Sequence, residues 1–252
     1  MTGGTPARAY DGVDAQTLAG RCGAPSVAIH AACASTMDLA HDDAAAGAAH
    51  GHVVVADRQG RGRGRAGKAW ASAPGAGVWT SIVLRELTPE TVAVLSLRIG
   101  LALAEALDPL VDGVVSLKWP NDLFVGAGKL AGVLVEVRWR GAVPEWAVAG
   151  VGINVQLPPP PLVGAAVRGA VGRPAVLAAV VAATRAAAAR RGPLDADECD
   201  AWRARDRARG RRCVAPLIGE VDGIDPDGAL RVRTDDGTLA RATAGSLRFM
   251  EE

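Results

Sequence analysis

The sequence lacks a charge imbalance, a long apolar run and any metal-like spacing of its cysteines. Its 28 basic residues are offset by 27 acidic ones, for a formal charge of +1. The chain as a whole is therefore no polyelectrolyte partner for nucleic acid. Nothing approaches the roughly 20 apolar residues of a membrane span, and residues 1–11 have no apolar centre of the signal-peptide kind, so a cytoplasmic location is expected. Cys22, Cys33, Cys199 and Cys213 form no Cys-x-x-Cys pair and stand beside no histidine cluster. They read as reduced, mostly buried thiols, which argues against a zinc site or a disulfide framework. His30, His41, His50 and His52 flank helix or strand edges, where structural or solvent-facing roles are expected. No metal site, internal repeat or Ser-His-Asp set is evident.

What is present fits a mixed fold. With 252 residues, 49% of them hydrophobic, the chain can bury one large core and a small one. Ser35 and Thr36 precede an alanine-rich stretch that reads as a capped helix stopping at Gly47. Strands are expected over 53–56, 78–84, 114–118 and 146–155, with a hairpin of 123–125 against 130–139 about Gly126-Ala127-Gly128. Pro89 opens a helix to about Leu107 that is apolar on most faces, as in a helix buried on a sheet. The prolines 158–161 make a loop, and 174–191 and 195–208 are helices. From about Cys213 the texture changes to short β runs between tight-turn signals, Asp225-Pro226-Asp227-Gly228 and Asp235-Asp236-Gly237. The fold class is thus α/β (α+β), a mixed sheet packed with helices, with a domain over 1–208 and a small β-barrel or sheet over 209–252.

Residues 59–70, Gln-Gly-Arg-Gly-Arg-Gly-Arg-Ala-Gly-Lys-Ala-Trp, concentrate four cations on a backbone with few side chains. Gly60, Gly62, Gly64 and Gly67 permit close approach to a ligand. Arg61, Arg63, Arg65 and Lys68 suit phosphate or carboxylate oxygens, and Trp70 offers a stacking face. A bound polyanion would order such a loop, which is expected to be mobile when empty. Taken alone, the run also fits a nonspecific single-strand-binding segment or a solvated surface loop.

A second polar cluster, Lys118-Trp119-Pro120-Asn121-Asp122, ends a strand at the foot of the hairpin whose far arm begins at Lys129. Strand alternation would turn Lys129, Ala131 and Val133 to one face. A lysine among apolar neighbours calls for an anion, although a lysine protecting an edge strand fits the same pattern.

Together these motifs resemble the biotin–protein ligase family. The resemblance is carried by Gln59 with Gly62-Arg63-Gly64-Arg65, Ala66-Gly67-Lys68-Ala69-Trp70, Lys118-Trp119-Pro120-Asn121-Asp122, Gly128-Lys129-Leu130-Ala131-Gly132-Val133-Leu134-Val135-Glu136 and Gly152-Ile153-Asn154, in order, from about Ser35 onward. It implies a catalytic domain of the biotin ligase and class II aminoacyl-tRNA synthetase kind followed by an SH3-like barrel. The implied activity joins biotin to AMP from ATP, with Mg²⁺, and passes biotin to one lysine of a carrier domain of acetyl-CoA carboxylase or a related carboxylase.

By the same resemblance Ser35, Thr36, Met37, Gln59 and Gly132 line the biotin site. Arg63, Gly64, Arg65 and Lys129 hold the carboxylate and the α-phosphate. Gly62, Trp70, Lys118, Asn121 and Asn154 meet the nucleotide. Biotin's carboxylate is ionised at neutral pH, so the first step needs positioned cations rather than a base. The attacking lysine, with a reference pKa of about 10.4, must lose a proton. Asp122 either accepts it or braces its neighbours.

Met37 stands where the family often has Asn and cannot hydrogen-bond a ureido ring. With only about thirty residues ahead of Ser35, a ligase without a helix-turn-helix domain and without DNA binding is expected. A sheet face left exposed would support a homodimer. Lipoate–protein ligases and octanoyltransferases share the architecture but differ in these motifs, and a nucleic-acid-binding module would use the same arginines with steep salt dependence.

Overall fold

Residues 3–158, 160, 163–169 and 171–250 are described by a computed structural model. Residues 5–33, which carry no clear sequence period, form the two-residue strands β1 (Thr5–Pro6), β2 (Ala9–Tyr10) and β3 (Val13–Asp14), helix α1 (Ala15–Cys22) and strand β4 (Val27–Cys33). There follow α2 (Thr36–Ala45), β5 (Val53–Gln59), β6 (Gly77–Leu84), α3 (Pro89–Leu107), β7 (Val115–Lys118), β8 (Asp122–Val125), β9 (Gly128–Arg140), β10 (Val143–Asn154), α4 (Arg173–Ala189) and α5 (Ala196–Arg205). Pro159 and Pro161 of the proline run lie outside the described residues.

One sheet runs in the order β1-β4-β5-β6-β10-β9-β8-β7, with only β4 and β5 parallel. Alternation assigns its faces. Val53 and Val55 of β5, Ile82 and Leu84 of β6, and Ala147 and Ala149 of β10 enter the main core with α1, α3 and α4. Val54, Val83 and Val148 turn the other way and pack with Met37, Ala40 and Ala44 of α2. These central strands read as unbroken apolar runs because both their faces are covered. Ser35 caps α2, its hydroxyl accepting from the Met37 amide (3.3 Å), and Gly47 follows the helix at φ +97°.

A second sheet, β11 (Arg212–Ala215), β12 (Gly219–Ile224), β13 (Leu230–Arg233), β14 (Leu239–Ala242) and β15 (Arg248–Phe249), has the order β14-β13-β12-β11-β15 and fits an SH3-like unit. Its Val221, Leu230 and Phe249 join the main core, and Trp119 Nε1 donates to the Gly228 carbonyl at 3.0 Å.

Two expectations are corrected. Lys129 is not on an edge, since β9 lies between β8 and β10. Nor does it share a face with Ala131 and Val133. The ladder pairs Leu123 with Ala131 but Phe124 with Lys129, leaving Leu130 unpaired, and this bulge reverses the alternation. Ala131 and Val133 stay in the core.

The most buried charge pair staples α3 to α5. Arg98 and Glu198 are 2% and 4% exposed, with Nε to Oε1 at 2.7 Å and Nη2 to Oε2 at 3.0 Å. The remaining guanidinium protons meet the carbonyls of Arg190, Gly192 and Pro193. Glu198→Ala would leave a buried cation without its counter-ion and should lower unfolding free energy by about 3–5 kcal/mol, read as a lower urea midpoint.

Candidate active site

A cavity of about 420 Å³ opens on the α2 face of the large sheet. Its floor is made by what is missing from two strands. Gly132 of β9 and Gly152 of β10 are direct ladder partners, and the Trp70 indole lies on both. A Cβ at Gly152 would come within 2.6 Å of the indole Nε1, and one at Gly132 within 2.8 Å of its Cζ3. Two residues along β10, Met37 Sδ would stand 2.6 Å from a Cβ at Gly150. The period-two glycines of Gly150-Val151-Gly152 thus mark a close approach rather than a turn.

The roof is the Arg-Gly segment. It folds as a hairpin: Trp70 N donates to Gly62 O (2.8 Å), Gly64 N to Lys68 O (2.7 Å), and Ala66 takes a left-handed φ of +52° at the tip. The segment is tied at both ends and through its arginines. Arg63 Nη1 meets Asp38 at 2.5 Å and its Nη2 meets Glu136 at 3.3 Å. Arg65 Nη2 donates to Gly245 O at 3.2 Å. Burial draws the Arg65 pKa below its ordinary value, with Asp122 opposing.

Lys129 is aimed into this space by the bulge. Its ammonium stands 2.7 Å from Asp122 Oδ1 and 4.9 Å from the centre of the Trp70 ring. The backbone beneath is held on both sides: Lys129 N donates to Val163 O, and its carbonyl accepts from Ala165 N (2.9 Å) and Asn154 Nδ2 (3.0 Å). Asn121 Nδ2 donates to Val133 O at 2.8 Å, fixing β7–β8 against β9. Gln59 Oε1 accepts from Thr36 N (2.9 Å), so the end of β5 is tied to the start of α2. Lys118 lies 4.7 Å over the Phe249 ring of the small sheet.

Of the residues singled out in the sequence, Ser35, Thr36, Met37, Gln59, Arg63, Gly64, Arg65, Trp70, Lys118, Asn121, Asp122, Lys129 and Gly132 line the cavity. Gly62 and Asn154 do not. Gly62 pairs with Trp70 within the hairpin, where a Cβ would stand 2.5 Å from Trp70 O, and Asn154 works through the Lys129 backbone. The cavity also takes in Gly150 and residues 246–248 at the start of β15, which were not expected as site residues; the period-two glycines could have revealed the first. Arg63 and Lys129 thus line the same space from separate segments, together with Arg65 and Trp70, whose Nε and Nε1 are buried without a partner.

Residues 31–154, the stretch that carries this cavity's floor and roof, match the model of the Biotin/lipoate A/B protein ligase family. The matched stretch is 124 of the 252 residues, and over it the chain is similar to that family. Among similar proteins, the bifunctional ligase/repressor BirA of Bacillus subtilis is 34% identical over 131 residues, 52% of this chain and 40% of that one. The biotin--[acetyl-CoA-carboxylase] ligase of Mycobacterium tuberculosis is 38% identical over 114 residues, 43% of this chain and 41% of that one. The matched stretches thus span about two fifths of these relatives' length. In fold, the chain is similar to the biotin protein ligase of Aquifex aeolicus solved with biotin and ATP, at a TM-score of 0.71 and 24% identity over 88% of this chain and 97% of that one.

A Cβ at Gly152 cannot coexist with the indole where it lies. Gly152→Ala should drive Trp70 off the floor. Acrylamide quenching assigned to Trp70, by difference from the same variant carrying Trp70→Phe, should rise relative to the corresponding difference in the parent.

Proposed function

We propose that the protein is an ATP-dependent biotin–protein ligase. The observation that carries this reading is the convergence of Arg63, Arg65 and Lys129, drawn from two separate segments, on one cavity floored by glycine and flanked by Trp70. Such a place suits a reaction between two anions. A carboxylate oxygen of biotin attacks the α-phosphorus of ATP, the bond to pyrophosphate breaks, and biotinyl-5′-AMP forms. The three cations offset the repulsion between carboxylate and phosphate, and the hairpin over Trp70 excludes water from the mixed anhydride.

In the second step a carrier lysine amine attacks the acyl carbon. The amide forms, AMP leaves with the electron pair of the broken C–O bond, and the amine loses its proton. Asp122, at 2.7 Å from Lys129, is the carboxylate of the lining and accepts or orients that proton. Ser35, Thr36, Met37, Gln59 and Gly132 surround the biotin rings, with the Met37 thioether giving apolar contact in place of an amide. Trp70, Lys118 and Asn121 meet the nucleotide. Gly62 and Asn154 act as supports beneath Trp70 and Lys129.

Magnesium would enter as a counter-ion carried on the triphosphate, held mainly by phosphate oxygens, and Asp122 would be its one carboxylate from the described lining, shared with Lys129. The acceptor is a biotin carrier domain of acetyl-CoA carboxylase or a related carboxylase, met in the cytoplasm. Among the described residues no helix is long and apolar enough to cross a membrane. Residues 1–208 form the catalytic unit, and 209–252 complete the nucleotide wall through residues 246–248.

Incubation with biotin, Mg-ATP and a carrier domain should yield biotinylated lysine, while lipoate in place of biotin should not be adenylated. No product with biotin, or faster adenylation of lipoate, would reject the reading. Arg65→Ala should let preformed biotinyl-adenylate escape about tenfold faster, the effect of losing one charge-assisted contact of roughly 1.4 kcal/mol. Asp122→Asn should slow transfer from preformed adenylate, and an unchanged transfer rate would remove Asp122 from the second step.

A further inference from the structure

The substrate-facing hairpin is held by a chain of contacts that starts outside the cavity. On α2, Asp38 and His41 are three residues apart and so lie on one helix face, turned toward β9 and β10. His41 Nδ1 accepts from Trp146 Nε1 at 3.0 Å. That bond fixes the tautomer with its hydrogen on Nε2, which faces Glu136 Oε2 at 3.3 Å. The same Glu136 oxygen receives Arg63 Nη2 at 3.3 Å, and Asp38 takes Nη1 at 2.5 Å. Arg63 is therefore gripped by carboxylates from two different elements, one of them oriented by a histidine that an indole orients in turn.

We infer that Asp38 and Glu136, with His41 and Trp146 behind Glu136, are positioning residues that set the Arg63 guanidinium at the cavity wall and so hold the hairpin closed. Neither carboxylate lines the cavity. Each bonds one terminal nitrogen of Arg63, which leaves Nε and the outer N–H groups free to meet an anion. The Glu136 carboxyl is kept below its ordinary pKa, first by the hydrogen bond from His41 and also by the Arg63 charge, against the effect of burial. It is thus a charged anchor near neutral pH. The tether supplies at rest the order that a loop of glycine and arginine otherwise takes only from a bound anion.

The inference rests on the hairpin being the substrate-binding segment of the proposed ligase, so its test has one arm that needs no ligase chemistry. Trypsin can cut after Arg61, Arg63, Arg65 and Lys68. In Glu136→Gln, cleavage within 60–70 should quicken about three- to fivefold, the size of one partly exposed ion pair, with the melting temperature and cleavage elsewhere unchanged. Asp38→Asn should do the same independently, which keeps the test open if one variant folds poorly. The Michaelis constant for biotin should rise by a similar factor with little change in kcat. In an Arg63→Ala background, Glu136→Gln should add nothing to cleavage after Arg61 or Arg65. Unchanged cleavage in both single variants, or an equal effect of Glu136→Gln without Arg63, would overturn the positioning role. Failure to adenylate biotin would strike the functional reading alone, since the proteolysis arm still decides the tether.

Discussion

The hairpin of β8 and β9 skips one residue in its ladder, and the location of the Lys129 charge depends on that skip. With regular alternation the ammonium would enter the apolar core beside Ala131 and Val133, where an unpaired charge costs several kcal/mol. The bulge at Leu130 turns it instead toward Asp122 and the Trp70 ring. Hydrogen bonds of the Lys129 backbone to the Val163 carbonyl, the Ala165 amide and the Asn154 side chain hold that irregular stretch in place. A cation of fixed position results from a local fault in the sheet that the neighbouring chain segments make rigid.

The two faces of the sheet divide the labour. One is filled by α1, α3 and α4 and carries most of the buried apolar surface, including the Arg98–Glu198 staple. Among the described residues the other carries a single helix, α2, with a core of a few residues. Beyond the end of that small core the same strands change from valine to glycine, and the cavity begins. Stability and binding are thus placed on opposite sides of the same strands, β9 and β10.

Much of this was legible in the sequence because the signals were local. The helix cap at Ser35, the apolar helix after Pro89 and the turn residues of the small sheet each act over a few positions, and each element appears within a residue or two of its expected place. The cations of the cavity were legible as motifs. What escaped were features set by pairing across the sheet. The bulge follows from how β8 meets β9, and no periodicity in β9 alone announces it. The Asp38–Arg63–Glu136 grip joins three distant segments, so its carboxylates look like ordinary surface charge in the sequence. The two-residue strands near the N-terminus have no period to detect, and residues 246–248 reach the cavity only because the small sheet shares the main core.

The glycine floor has a consequence for how the cavity could change. A surface made of bare backbone offers no atoms to trim and no polarity to exchange, and every replacement at 132, 150 or 152 intrudes on the space above it. Enlarging or reshaping the chamber for a bulkier guest must therefore proceed from the opposite wall, through Met37 and the arginine hairpin. That wall is where variation in ligand preference has room to arise.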